Sequence, residues 1–477
     1  AAGMQHFPNT HRSRSSSSLS SCEESAEEST IYESSSEASP ENVPQAIADF
    51  SRGACDRLLE GAKSLVSSAR EYSKSHSGGE LTGRDLGGFS PRMSAYDYES
   101  SDGKWNADES ESSDLYRPGG YHPTVHGEIF NYRYVALEKI GWGECSIVWL
   151  AKDTKNNDQL VALKISRASV LYKNCAINEA HICTIMRDRL KRAGKHYDQM
   201  KLNSSCVMEM HDSFEHEGPH GVHFVSVLER LGPNLLALMT LTEFRGLPTT
   251  VVRYIAKRIL HGLTFLHDEI NVCHADIKPE NILLMNGLSE NGGPVYLEYS
   301  VKVSDLGSGR ILDYSYPLSV LQTREYRAPE VLMGCENLIN QAIDVWSLGC
   351  VIFELLTGDF LFDPKSQVES SRAQDLLQMN LIMQVSGEVP RSLLQCARHG
   401  GHFFRKGAFL QERLPRIDLK NVMVASYNMN PKEAQSFCDF LLPMLEIDPS
   451  KRVKARDHTQ HEWLQLTADQ LNEVISL

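Results

Sequence analysis

The 477-residue chain contains no run of eighteen or more apolar residues, so no membrane-spanning helix is expected. It also lacks a basic segment leading into an apolar stretch near its start, and no secretory leader is expected. Ala1 to Gly3, ahead of Met4, read as a cloning remnant and carry no weight. There is no C-x-x-C pair. Eleven cysteines stand singly, which argues against zinc ribbons and against a disulfide framework. A reducing cytoplasmic and nuclear setting suits that usage. Basic residues are in deficit, 48 Lys and Arg against 62 Asp and Glu, for a net charge of -14. Binding nucleic acid requires neutralising phosphates, so no direct contact with it is expected. The acidity reads first as a means of staying soluble, and otherwise as favouring a basic polypeptide partner.

Aliphatic residues are almost missing from 11 to 40, where thirteen serines and six glutamates stand. Such a segment cannot bury enough apolar surface to offset its ordering entropy, and residues 1–42 are expected to be a disordered tail. Residues 43–75 differ. Ile47, Phe50, Ala54, Leu58, Ala62, Leu65, Ala69 and Tyr72 recur every three or four residues, the stripe of an amphipathic helix that either docks on a folded surface or forms transiently within a disordered tail. Residues 76–120 return to Gly, Ser, Asp and Glu and read as a flexible linker. Regular patterning then begins near Tyr121. Strands are predicted at Tyr134–Ile140, Ile147–Ala151 and Leu160–Ile165, and a helix along Val251, Ile255, Ile259, Leu263 and Leu266. A β-rich lobe (121–231) followed by a larger helical lobe (232–470) predicts a bilobal α+β fold. No internal repeat is present.

Several motifs point to phosphoryl transfer from ATP. Ile140, Gly141, Trp142, Gly143, Glu144, Cys145, Ser146, Ile147 and Val148 join two strand patterns. Glycines at such a turn let the backbone approach phosphates, and Val148 would cap an adenine. The third glycine of the usual pattern is Ser146, and the segment reads equally as an ordinary hairpin. Ala162 and Lys164 lie on the next strand. A lysine on an otherwise apolar strand needs a partner. Glu179 is the one acid between Lys173 and Arg187 and is the candidate.

The strongest signal is His274-Ala275-Asp276-Ile277-Lys278-Pro279-Glu280-Asn281, followed by apolar Ile282 to Leu284. Phosphoryl transfer asks mainly for positioning and charge neutralisation. Asp276 is the candidate to orient and deprotonate a substrate hydroxyl, and Lys278 to offset phosphate charge. Asn281 and Asp305, the latter opening Asp305-Leu306-Gly307, are the candidate ligands for Mg2+. Thr323 is expected to contact Asp276 and Lys278. Glu330 is expected to pair with Arg452, and Asp344 to bond the catalytic-loop backbone or, more simply, to cap its helix. Leu228, Glu229 and Leu231 form the predicted adenine hinge, with Leu228 as gatekeeper.

These elements occur in the order found in protein kinases. From about Tyr121 to Leu466 the chain resembles the SR-protein kinases, which phosphorylate serines in Arg-Ser repeats of splicing factors. The resemblance lies in Tyr134 to Gly143, in Thr357-Gly358-Asp359-Phe360-Leu361-Phe362-Asp363-Pro364, and in Phe440-Leu441-Leu442-Pro443-Met444-Leu445-Glu446. It implies a serine/threonine kinase acting on Arg/Ser-rich proteins as a monomer. A LAMMER-type kinase and a pseudokinase scaffold are the alternatives. Leu228 stands where that family usually has Phe, which implies a roomier back pocket. The family's acidic docking groove is matched by Asp359. Asp375 lies near a second position but is shifted, and Gln384 replaces a glutamate. Ala275 stands where most kinases have the arginine that answers a phosphorylated activation loop, which implies activity without that phosphorylation.

Overall fold

The computed structural model describes residues 111–285, 300–312, 321–364 and 370–471. The tail, the helix expected over 43–75 and most of the expected linker lie outside these residues.

The first lobe is a six-stranded antiparallel sheet: β1 (Ile129–Phe130), β2 (Tyr134–Gly143), β3 (Ser146–Asp153), β4 (Gln159–Ser166), β5 (Met210–Gly218) and β6 (Gly221–Glu229). Its order is β1-β2-β3-β4-β6-β5. Side chains alternate across a strand, and β4 shows what that decides. Val161, Leu163 and Ile165 fall into an upper core with Ile147, Ala151, Val225 and Val227. Ala162 and Lys164 therefore take the opposite face. Helix α1 (Val170–Lys191) crosses behind the sheet and buries Ala176, Glu179, Ile182, Cys183 and Met186. Helix α2 (Tyr197–Ser204) follows it.

Among the described residues, packing on the first lobe extends ahead of Tyr121 as far as Glu111. A short turn at Ser113–Leu115 seats Leu115 and Tyr116 against the upper core. Glu111, 4 % exposed, pairs with Lys139 and accepts from the Tyr116 hydroxyl. Composition alone hid this, because two apolar side chains and one buried ion pair anchor an otherwise polar segment.

The second lobe is built on helices α3 (Leu235–Leu241), α4 (Thr249–Thr264), α5 (Ala342–Thr357), α6 (Ser371–Ser386), α7 (Leu419–Ser426) and α8 (Pro431–Leu441). The apolar stripe of α4 buries Val251, Val252, Ile255, Ala256, Ile259, Leu260 and Leu263. Helix α5 is buried on almost every side, as a helix apolar all round should be. Short strands β7 (Val272–Cys273), β8 (Ile282–Leu284), β9 (Val301–Val303) and β10 (Arg310–Ile311) bracket the loops between the lobes. β7 pairs with β10, and β8 with β9.

Candidate active site

The predicted phosphate loop is a continuous hairpin: Gly143 pairs with Ser146, Trp142 with Ile147 and Gly141 with Val148. Both readings of that segment thus describe one object, a tight turn at Glu144 and Cys145 closing two strands. Ile140 and Trp142 remain exposed at 43 % and 39 %. The Tyr121 hydroxyl donates to the Gly143 carbonyl at 2.6 Å and steadies the turn. Ser146 is buried. Ile147 corrects the sequence grouping: alternation turns it into the upper core, away from the cleft. Val148 takes the cleft side and packs on the same cluster as Ala162 and Leu228.

Lys164 reaches two acids at once. Its Nζ donates to Glu179 Oε2 at 3.0 Å and to Asp305 Oδ1 at 2.9 Å. Burial works against the Lys164 ammonium, but Asp305 and Glu179 outweigh it and hold its pKa above the usual lysine range. Burial pushes the Asp305 carboxyl up, yet Lys164 pulls it down to about 2. Glu179 also accepts from the Leu306 backbone N–H at 3.2 Å, and Asn178 donates to the Gly307 and Gly309 carbonyls. Helix α1 is thereby tied to the segment that carries Asp305.

The hinge lies at the end of β6. Leu228 is buried opposite Ala162 and Met210. The Glu229 carboxylate is clamped by Lys302 Nζ at 2.6 and 2.7 Å and by the Glu209 N–H at 2.6 Å. Lys302 was not singled out in the sequence. The signal was available, since it sits between Val301 and Val303 on a buried strand, the same argument that picked out Lys164. Gly232 N–H donates to the Leu284 carbonyl, whereas no hydrogen bond takes the Leu231 N–H among the described residues.

In the catalytic loop four predicted residues meet around one carboxylate. Asp276 Oδ1 accepts from Thr323 Oγ1 at 2.9 Å. Asp276 Oδ2 accepts from Asn281 Nδ2 at 3.0 Å and lies 3.0 Å from Lys278 Nζ. Lys278 also donates to Thr323 Oγ1 at 3.1 Å. Burial lowers the Lys278 pKa, but Asp276, with Glu280 and Asp305, more than offsets this and leaves it raised. Because Asn281 spends its nitrogen on Asp276, its amide oxygen is left for another partner. Asp305 likewise keeps Oδ2 clear of Lys164. Two hard oxygen donors of this kind suit Mg2+, which binds through one or two such groups plus phosphate.

The loop is held from below. Asp344, fully buried in the first turn of α5, accepts from the His274 N–H at 2.7 Å and the Ala275 N–H at 2.8 Å. It does not cap its helix, whose N-cap is Gln341. Ala275 adopts a left-handed backbone at φ 64°. Glu330 and Arg452 form a bidentate pair at 2.7 and 2.9 Å with both side chains fully buried.

The two expected docking carboxylates are engaged within the chain. Asp359 Oδ2 accepts from the Tyr427 hydroxyl at 2.9 Å. Asp375 pairs with Arg324, the residue after Thr323, and Ser371 accepts from the same guanidinium at 3.1 Å. Asp375 is therefore a brace for the segment beside the catalytic loop rather than an open docking charge. The proximity of 324 to 375 could not be read from spacing.

The protein kinase domain model matches residues 134–464. The serine/threonine-protein kinase SRPK of Physarum polycephalum is 33% identical over 403 residues, covering 75% of this chain and 91% of that one. Protein kinase dsk1 of Schizosaccharomyces pombe is 28% identical, with 75% and 86% covered. Human SRSF protein kinase 3 is 25% identical, with 75% and 90% covered. With the lobes, the paired lysine and the Asp276 cluster in place, the chain belongs to the protein kinase family, in its SRPK branch of serine/threonine kinases.

Proposed function

We propose that this kinase transfers the γ-phosphate of ATP, bound with Mg2+, to serines of Arg/Ser-rich proteins such as splicing factors. The observation that carries the reading is the Asp276 carboxylate, held by Thr323 on one oxygen and by Asn281 and Lys278 on the other. Asp276 accepts the proton of the serine hydroxyl as that oxygen attacks the γ-phosphorus and the bond to the β-phosphate oxygen breaks. Lys278 offsets charge on the transferring group, and Lys164, already fixed by Glu179, contacts the remaining phosphates. Mg2+ at Asp305 and Asn281 supplies charge neutralisation. Leu231 N–H and the Glu229 backbone meet the adenine between Val148, Ala162 and Leu228.

The name of the human relative, an SRSF protein kinase, supports the substrate class. So does the net charge of -14, which attracts basic tracts. With Asp375 taken by Arg324 and Gln384 uncharged, short Arg-Ser stretches are the substrate rather than long tracts handled processively. The protein acts as a monomer in cytoplasm and nucleus, without direct nucleic-acid contact.

Activity is constitutive. Ala275 offers no cation to an activation-loop phosphate. A peptide array with wild type and Asp276→Asn tests the substrate reading: Arg-Ser peptides should be labelled in preference to acidic and Pro-directed serine peptides. Loss of a general base costs roughly 10² to 10⁴ in rate. Equal labelling of all classes, or near-full turnover by Asp276→Asn, refutes the assignment. Phosphatase-treated enzyme should retain its rate; recovery only on phosphorylation between Asp305 and Glu330 would count against constitutive activity.

A further inference from the structure

Far from the catalytic loop, three metal-binding side chains converge on the outer end of the first lobe. His122 precedes β1, Glu128 lies one residue before it, and His216 projects from β5. Their donor atoms all lie within 4.8 Å of one another. Glu128 Oε1 is 2.7 Å from His122 Nε2 and 3.7 Å from His216 Nε2. We infer that His122, Glu128 and His216 form a site for a divalent transition metal with the coordination chemistry of zinc.

The distances support this. Tetrahedral bonds of about 2.0–2.2 Å place ligand atoms roughly 3.3 Å apart. The two separations from Glu128 straddle that value, and the third, between the histidines, is at most 4.8 Å, so relative side-chain shifts of up to about 1.5 Å complete the site. The rings are also placed as co-ligands would be. Two imidazoles on one tetrahedral ion have centroids about 5 Å apart by the same geometry. The His122 and His216 rings are 4.8 Å apart.

His223 packs beside the cluster without joining it. It is fully buried on β6, directly across from His216 in the sheet. Its Nδ1 faces the Ser166 carbonyl at 2.8 Å, which fixes the proton there and leaves Nε2 as a bare lone pair. That Nε2 has no hydrogen-bond partner among the described residues. His223 lies outside the group of converging donor atoms, and the fourth position on the ion is left to water.

Backbone geometry is adapted to the cluster. A Cβ at Gly218 would lie 2.4 Å from His122 Nδ1, so only glycine lets that ring sit over the β5–β6 turn. Imidazole donors select zinc-like ions over Mg2+, which prefers oxygen. The ion would pin the strap from Tyr121 to Glu128 onto edge strand β5. Tyr121 in that strap holds the Gly143 carbonyl, so the site lies one residue from a support of the nucleotide hairpin.

The test uses the full chain, stripped with a chelator and titrated with Zn2+ against a chromophoric competitor, with melting temperature measured in parallel. His216 is half-buried, and His216→Asn and Glu128→Gln keep the side-chain shape. Wild type should bind one equivalent at this site and gain about 5 °C at a hundredfold excess over Kd. Both variants should weaken that binding at least tenfold and lose the gain while melting like wild type without zinc. His211→Asn, an exposed histidine on the same strand, should bind as wild type does, and excess Mg2+ should not compete. Equal zinc affinity in wild type, His216→Asn and Glu128→Gln, or no zinc-dependent gain in wild type, overturns the site.

Discussion

Asp344 and Ala275 meet through a 2.8 Å hydrogen bond in which a buried carboxylate, 69 residues downstream, takes the N–H of a backbone in the left-handed region. The other Asp344 oxygen takes the His274 N–H and faces His267 Nε2 at 2.8 Å. Left-handed backbone at a residue with a Cβ costs about 1–2 kcal/mol, and Asp344 holds the loop there. Asp276, next in the chain, inherits its position from this bracket.

Asp344→Asn should therefore damage both stability and catalysis. An asparagine offers one carbonyl oxygen, and its amide hydrogens would face a backbone N–H. A loss of roughly 2–4 kcal/mol in unfolding free energy is expected, with a fall in kcat larger than the change in KM for ATP. Urea unfolding and initial-rate kinetics decide it; an unchanged midpoint with unchanged kcat would show the bracket to be dispensable.

Glu354 predicts a pH dependence. Burial drives its pKa from 4.5 up to about 8, against the Tyr326 hydroxyl, which donates to it at 2.7 Å. Between those values the folded protein keeps a proton that the unfolded chain has released, so stability falls as pH rises through the window. The slope is at most about 1.4 kcal/mol per pH unit. Glu354→Gln should flatten the fall and melt higher than wild type near pH 8, with the two proteins converging below pH 5. Parallel melting curves across that range would reject the assignment.

Arg452→Ala leaves the Glu330 carboxylate buried and uncompensated. Removing one partner of such a pair costs roughly 3–5 kcal/mol. Since neither residue touches the Asp276 cluster, the variant should show a lowered melting temperature while the KM for ATP of the folded fraction stays near wild type. A destabilisation below about 1 kcal/mol would mean that water reaches the pair.

Leu228→Phe tests the back pocket. Leu228 lies between Ala162 and Met210 on adjacent strands, so a phenyl ring there fills space behind the adenine. ATP-competitive inhibitors with a bulky group in that space should weaken by roughly tenfold or more, with little change in KM for ATP. Equal inhibitor affinity would show that the pocket is no wider with leucine.

Sequence and structure divide along physical lines. Asp276, Lys278 and Asn281 were readable because one short loop must present them together, and contiguity survives in the sequence. Lys164 was readable because charge on an apolar strand is costly without a partner. The lobe order followed from hydrophobic periods of two and of three to four. Folding alone decided which face of the hairpin Val148 and Ile147 take, that Glu229 is clamped by Lys302, and that Asp375 answers Arg324. It also decided that 111–120 is anchored, and that His122, Glu128 and His216 converge. Glu229 with Lys302, Asp375 with Arg324 and His216 with His122 join segments far apart in the chain, and spacing carries no information about such distances. Backbone topology sets them, after local propensity has done its part.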